Sequence, residues 1–279
     1  MLTYLQAIIL GSLQGISEIF PVSSLGHSVL VPALLHWSID QSSDQFISFV
    51  VLTHLATALA LLIFFWRDWV RIIRDMLRSI AARRIETAHA RIGFLIVVSS
   101  IPAGLLGLVF QSKLQSLFAD VRLVAAVLVV NGIVLYIGEY FRGGSGTGVD
   151  DRKLARMTWM QSIGIGFAQC LALIPGFSRT GVTMTAGLAN GFSHDNAARF
   201  SFLLATPLIF AAAVLKVPHI ITHHGEWGTA IIGFICAAIF AYLSVRFLTR
   251  YFETKTLKPF ALYCIAAGLI AFALLSMGI

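Results

Sequence analysis

Charge is what this sequence has least of. Only 12% of its 279 residues are Asp, Glu, Lys or Arg, about half the roughly 25% of a soluble domain. So few charges cannot cover the surface of a water-soluble protein, and 58% of the residues are hydrophobic. Cysteine is also scarce. Cys170, Cys236 and Cys264 all lie in apolar stretches without metal-ligand spacing. That excludes a disulfide framework and a cysteine metal cluster, and the three read as small core residues. Acidic residues number 13 against 20 Lys and Arg. The excess does not indicate nucleic acid, because the basic residues cluster between apolar runs. No basic segment precedes the first apolar run, MLTYLQAIIL, so no cleaved signal peptide is expected. The chain reads as an all-α polytopic membrane protein forming one integral membrane domain over residues 1–279.

Six stretches are long enough for the roughly 20 apolar residues that cross a bilayer: about 46–66, 91–111, 121–140, 199–217, 228–248 and 259–279. Two further regions, 1–45 and 157–198, are apolar but interrupted by Pro, Gly, Ser and charge. Each reads as two short helices joined by an irregular tip. Such backbone persists at membrane depth only where protein or a wet cavity surrounds it, so each is expected to be a re-entrant, broken-helix hairpin.

Loop charge orients the chain. Seven arginines lie in 67–91, four Lys or Arg in 142–156 and four in 246–258, with Arg199 beside them. The opposite loops hold Lys113, Arg122 and Lys216. By the positive-inside rule the first set is cytoplasmic. Both termini are then external, the first hairpin enters from outside and the second from the cytoplasm. The result is an inverted repeat, 1–140 and 157–279, each half a hairpin plus three spans. The hairpins share wording, GSLQGISEIFPVSSLG against IGFAQCLALIPGFSRTG, a loose match with one extra residue in the second copy. Such repeats build their sites at discontinuous helix ends near the midplane.

At the first tip, Gln14 and Glu18 share a helix face and Pro21 ends the helix. Ser23 and Ser24 are natural caps for the next helix, whose first turns hold Gly26 and His27. At the second tip, Pro175 and Gly176 break the chain before Ser178, Arg179, Thr180 and Gly181. Backbone N–H groups at a helix start attract an anion, and a guanidinium adds a planar donor suited to phosphate. If the tips converge, they enclose a phosphate or pyrophosphate. Intramembrane ionisable residues are functional by default. Taken singly, the serines read as caps, His27 as a buried histidine, and Glu18 with Arg179 as a structural ion pair. It is the constellation that points to chemistry.

Other candidates carry less. His219, His223 and His224 could hold Zn²⁺ by spacing, but read first as a polar loop. The arginines of 67–91 could bind anionic lipid, but read first as a topology anchor. Residues 143–148, GGSGTG, lack the Lys and helix of a P-loop and read as a linker. His36, His54 and Glu139 have no partner visible in the sequence.

QGISEIFPVSSLGH resembles the first signature of the bacterial undecaprenyl-diphosphatase family, the bacitracin-resistance phosphatases: a Glu- or Gln-xxx-Glu element followed by Pro-Val-Ser-Ser-x-Gly-His. PGFSRTG resembles the second, Pro-Gly-x-Ser-Arg-Ser-Gly. The resemblance covers essentially the whole chain. It implies removal of the terminal phosphate of undecaprenyl pyrophosphate, with a divalent cation, Mg²⁺ or Ca²⁺. It also implies a bacterial inner-membrane location with the site open to the outer face. Family roles carry over to Glu18, Ser24, His27, Ser178 and Arg179. Gln14 stands where many members have Glu, which makes a neutral, weaker metal ligand. Thr180 stands where Ser is usual and keeps the hydroxyl.

On this reading Arg179 and the second helix start hold the pyrophosphate, with Ser23, Gly26, Gly176, Ser178, Thr180 and Gly181 around it. Glu18 and Gln14 bind the cation, Ser24 attacks phosphorus, and His27 is general base or acid. A rival has Glu18 or His27 activating water. The expected partners are the lipid pyrophosphate, membrane lipids and a second copy of the chain in a homodimer, with no nucleic acid. The alternative function is a flippase or transporter of a lipid-linked phosphate, which also suits an inverted repeat. A phosphatidic-acid-type phosphatase lacks its Lys-x6-Arg-Pro and Ser-Arg-x5-His elements here. A non-catalytic scaffold gives no reason for Glu18 and Arg179.

Overall fold

The computed structural model describes residues 2–41, 43–110, 120–141, 150–223 and 227–278, and every regular element among them is helical. In chain order these are α1 (Tyr4–Ile19), α2 (Ser24–Leu34), α3 (Asp44–Phe64), α4 (Trp66–Ala82), α5 (Ala88–Val109), α6 (Val121–Gly138), α7 (Asp151–Ala155), α8 (Trp159–Cys170), α9 (Arg179–Ala189), α10 (His194–His223), α11 (Trp227–Tyr251) and α12 (Lys258–Met277). Short 3₁₀ turns follow α6 and α8. The side chains of His219, His223 and His224, and residues 143–148, lie outside what the structure describes.

Six helices among the described residues are long and apolar enough to cross a membrane: α3, α5, α6, α10 over His194–Lys216, α11 and α12. They match the six apolar runs. Their ends sit a few residues away because caps, not hydropathy, set them: Ser43, Thr87 and Asp120 side chains accept backbone N–H groups at the starts of α3, α5 and α6. The start of α10 is the largest shift. His194, Asp195 and Asn196 look like loop residues in sequence but are buried in the protein, so the helix begins five residues before the apolar run does.

The two interrupted regions fold as short helix, tip, short helix. Each opens on the same device. Thr3 accepts the N–H of Gln6 while the Gln6 side chain accepts the N–H of Thr3, and Thr158 and Gln161 repeat this capping box,. Each second helix is capped alike: Ser23 accepts from Gly26, and Ser178 from Gly181. Glycine at 11 and 15 lets the backbone of α1 lie directly against that of α11 around Gly233 and Ala237. This is the close approach that drives helix association in lipid, where there is no hydrophobic force between helices. α1 packs on α11, α8 on α5, and α6 on α12.

The arginine-rich end is held by ion pairs. Arg199 on α10 binds Asp68 of α4 at 2.6 Å and also binds Asp151 of α7. His89 lies 3.5 Å from Asp75 and 3.4 Å from Asp151. Glu139 is 3.0 Å from His194 and accepts the Leu257 N–H at 2.5 Å. Residues 66–82 form an amphipathic surface helix, burying Ile72 and Asp75 and exposing Val70, Ile73 and Leu77.

Candidate active site

The tips of the two interrupted regions meet. Glu18 sits in the last turn of α1, buried, on the same face as Gln14. Phe20 ends the helix in an extended conformation, and Pro21 cannot continue it. The chain then reverses at Ser23, whose φ of 71° is unusual for a residue with a side chain,. That turn places Ser24 at the first position of α2, facing back toward Glu18. On the other side Gly176 has a φ of 105°, a conformation glycine adopts without cost. A Cβ there would lie 2.7 Å from the Val124 carbonyl, so the second tip admits no other residue without shifting. Ser178 then starts α9 with Arg179 as its first residue.

Glu18 is the hub. Its Oε2 accepts the Ser24 hydroxyl and, at 3.2 Å, the Gln14 amide. His54 Nε2 lies 3.3 Å from the same oxygen, and Arg179 Nη2 lies 3.7 Å from Oε1. Thr180 donates its hydroxyl to the Glu18 carbonyl at 3.0 Å. The two sequence motifs therefore form one site. Arg179 Nη1 is buried with no hydrogen-bond partner among the described residues, as is Gln14 Oε1. A buried, unsatisfied polar atom is costly. Here one is a spare cationic donor and the other a spare oxygen acceptor, both at one carboxylate.

The pocket at this point is lined by Glu18, Ser24, His54, Phe177, Ser178 and Arg179 and has a volume of ≈ 20 Å³, room for about one water molecule. A diphosphate can enter only if these side chains part.

His27 makes its contacts within its own turn and with one neighbouring helix. Its Nδ1 lies 2.7 Å from the Ser23 carbonyl and its Nε2 lies 2.8 Å from the Tyr263 hydroxyl. A carbonyl only accepts, so Nδ1 carries the proton and Nε2 accepts from Tyr263. Neither nitrogen is bonded to Ser24. Ser23, Ser178, Gly26 and Gly181 form the two caps, and Gly26 and Gly176 bring the tips into contact.

Three residues of this region have no partner visible in the sequence. His54 on α3 donates Nδ1–H to the Val50 carbonyl at 2.8 Å, which aims Nε2 at Glu18. Asn131 on α6 is fully buried and touches both tips. Its Oδ1 accepts the Ser178 N–H at 2.9 Å, and its Nδ2 donates to the Pro21 carbonyl at 3.3 Å. Tyr263 stacks on His27 with ring centroids 5.7 Å apart. His54 and Asn131 are polar residues in otherwise apolar spans, and that cost was the available signal. Tyr263 gave none, since tyrosine is common in membrane helices.

Comparison with known proteins follows the same residues. The family described as Bacitracin resistance protein BacA matches residues 7–270, which include both tips. The undecaprenyl-diphosphatase of Mycolicibacterium paratuberculosis is 45% identical over 96% of this chain and 95% of its own length. That of Acidiphilium cryptum is 44% identical over 99% and 100%. Undecaprenyl-diphosphatase 1 of Burkholderia pseudomallei is 44% identical over 94% and 93%.

Proposed function

The chain belongs to the Bacitracin resistance protein BacA family, and from that premise we propose how its site works. The protein is a multi-pass membrane enzyme that hydrolyses undecaprenyl pyrophosphate to undecaprenyl phosphate and inorganic phosphate. It thereby regenerates the lipid carrier of cell-wall synthesis and counters bacitracin.

Phosphoryl transfer asks a protein mainly for positioning and charge neutralisation. In our reading Arg179 and the N–H groups at the starts of α2 and α9 hold the diphosphate. The observation that carries this is the buried, unpartnered Nη1 of Arg179 beside the Ser24 hydroxyl. Ser24 attacks the terminal phosphorus and gives its proton to Glu18, which already accepts that hydrogen bond. The bond between the terminal phosphorus and the bridging oxygen breaks, and undecaprenyl phosphate leaves. Water then cleaves the phosphoserine, restoring the Ser24 hydroxyl and releasing phosphate. His54 holds Glu18 in place. For His27 to act as the base it would have to leave Tyr263, so we assign it to fixing the Ser23 turn.

A hard divalent cation takes oxygen ligands and often only one or two from protein, the rest from phosphate and water. The unpartnered Gln14 Oε1 and the Glu18 carboxylate fit that pattern. They would hold Mg²⁺ or Ca²⁺, which would neutralise charge on the phosphoryl oxygens.

We further read the molecule as an inverted repeat of two re-entrant hairpins. Thr3 and Thr158, Gln6 and Gln161, Gln14 and Gln169, Ser23 and Ser178, and Gly26 and Gly181 are each 155 positions apart. The same capping hydrogen bonds recur at these positions. In this register Ser24 and Arg179 are equivalent residues. The loose match with one extra residue is thus replaced by a gapless one. The arginine-rich end faces the cytoplasm of the inner membrane, and the site opens to the outer face.

The experiment is phosphate release from undecaprenyl pyrophosphate by purified protein in detergent, where transport has no meaning. Glu18→Gln and Arg179→Ala should each lower the rate by about 10²-fold or more. Near-native rates in both would reject this site.

A further inference from the structure

A second concave region lies away from the tips, at the end of α11 and the turn after it. It has a volume of ≈ 480 Å³ and is lined by Leu243, Arg246, Phe247, Arg250, Tyr251, Thr254 and Lys255. Arg246 and Arg250 are one helical turn apart and exposed, and Lys255 closes the cluster from the following turn. None of the three makes an ion pair among the described residues. Several other cations at this end of the protein are engaged: Arg74 with Asp75, Arg84 with Glu86, Arg199 with Asp68, and Arg91 over the Trp159 ring and on the Met157 carbonyl.

The depth of the groove follows from helix length. α11 has 25 residues and spans about 37 Å at 1.5 Å per residue, more than the roughly 30 Å of the hydrocarbon core. Trp227 stands at its first residue, where an aromatic belt is expected. About twenty residues of rise then place Arg246 at the opposite boundary, with Arg250 and Lys255 beyond it in the head-group layer. The groove is built in the same order. Leu243 and Phe247, both exposed, form its apolar end, and the three cations and Thr254 form its polar end. That is the profile of a phospholipid, with acyl chain on one side and phosphate on the other.

We propose that this groove is a binding site for the head group of an anionic phospholipid in the leaflet on the arginine-rich side. The Arg246 and Arg250 guanidinium groups take the phosphodiester oxygens, Lys255 and Thr254 complete the cradle, and Leu243 and Phe247 lie along the first methylenes. The site is independent of the hydrolysis assigned to the tips, and its test does not read that reaction.

Full-length protein is reconstituted in phosphatidylcholine bilayers doped with spin-labelled phosphatidylglycerol or spin-labelled phosphatidylcholine. The immobilised lipid fraction is read by electron paramagnetic resonance. A Lys or Arg held against a bound head group favours anionic lipid by about five-fold. Phosphatidylglycerol should therefore be retained over phosphatidylcholine, and Arg250→Gln alone should lose about five-fold of that preference. The triple variant Arg246→Gln, Arg250→Gln, Lys255→Gln should abolish it, while the control Arg71→Gln, Arg78→Gln on α4 should keep it. Retention of the preference in both Arg250→Gln and the triple variant would overturn the proposal. So would an equal loss in the α4 control, which would mean a diffuse surface field. Displacement of phosphatidylglycerol by inorganic phosphate would make the groove a free-phosphate site instead and would equally overturn it. Arg250→Gln, a single exposed change, keeps the test decisive if the triple variant does not fold.

Discussion

Asn131 is the one side chain among the described residues seen to hydrogen-bond to both tips, and replacing it by leucine isolates what that bridge does. The substitution keeps volume roughly constant and strands two buried backbone groups, the Ser178 N–H and the Pro21 carbonyl. An unsatisfied buried group costs about 1–3 kcal/mol. Side-chain hydrogen bonds measured inside membrane proteins average nearer about 0.6 kcal/mol. The 2.9 Å bond to Ser178 belongs toward the upper figure. The 3.3 Å bond to Pro21 belongs toward the lower, since Cys264 Sγ also approaches that carbonyl at 3.8 Å. The sum is about 1–4 kcal/mol against the converged arrangement of the tips. At about 1.4 kcal/mol per factor of ten, kcat/KM should fall by about five-fold to several hundred-fold. The assay is phosphate release in detergent, with thermal melting of the same preparation. Cys264→Ala, which removes the other neighbour of the Asn131 amide but does not touch Ser178, should stay within about three-fold of native, as expected of a small core change. A melting point that drops while kcat/KM per folded molecule stays native would show that Asn131 only stabilises the fold. Alignment of the tips by this bridge would then be refuted.

Three further outcomes are expected. Ser24→Ala should cut turnover by about 10²–10⁴-fold, and acid quenching of the native enzyme with β-labelled substrate should leave label on Ser24; no label and near-native turnover in the variant would make water the nucleophile. His54→Ala should lower kcat about ten-fold with KM little changed, because His54 orients Glu18 rather than the lipid, and His54→Gln should recover part of the loss; a change confined to KM would place His54 in substrate binding. Burial alone would push the Glu139 carboxyl up, but hydrogen bonds from His194 and the Leu257 N–H and the nearby positive charges prevail and hold it below its ordinary value. Its stabilisation is therefore complete above the ordinary carboxylate range and is lost as pH falls through the lowered folded value. Glu139→Gln should accordingly melt lower than native at neutral pH, with the gap closing in acid; a constant gap across pH would exclude this linkage.

Much of this site was legible because lipid makes polar residues expensive. Glu18 and Arg179 stand out in apolar surroundings, and the Pro, Gly and Ser around them mark broken helices. The spans were legible for the complementary reason, since long apolar runs have few other places to go. What could not be read was who faces whom. His54 and Asn131 are as anomalous as Glu18 in a span, but their partners lie on other helices and only tertiary packing reveals them. The partners of His27 were equally hidden. A residue three positions after Ser24 shares its face within a regular helix, but Ser24 is the first residue of α2 and its hydroxyl turns back across the tip to Glu18. The His27 ring follows the helix outward to Tyr263. The early start of α10 was hidden similarly, because His194 and Asp195 are polar yet point into protein.

The proposed gapless register of the two interrupted regions offers a physical reason for the division of labour proposed at the site. A tip that ends one helix and starts another offers backbone N–H groups at the second helix start, so two tips meeting at one point already favour an anion. Ser23 and Ser178 make the same cap hydrogen bond at the two helix starts, although their backbones differ. In the proposed register the residues we assign to base, nucleophile and diphosphate binding are the ones that differ: Glu18 corresponds to Leu173, and Ser24 to Arg179. A carboxylate in each copy would repel a diphosphate, and a guanidinium in each would leave no acceptor for the serine proton. With one of each the pocket carries compensating charges 3.7 Å apart, which a low-dielectric site tolerates only as a pair. On the proposed mechanism the incoming diphosphate replaces Glu18 as the partner of Arg179, while Glu18 keeps the Ser24 hydroxyl it already accepts. Exchange of that one contact would open a pocket now sized for a single water and assemble the reacting groups in the same movement.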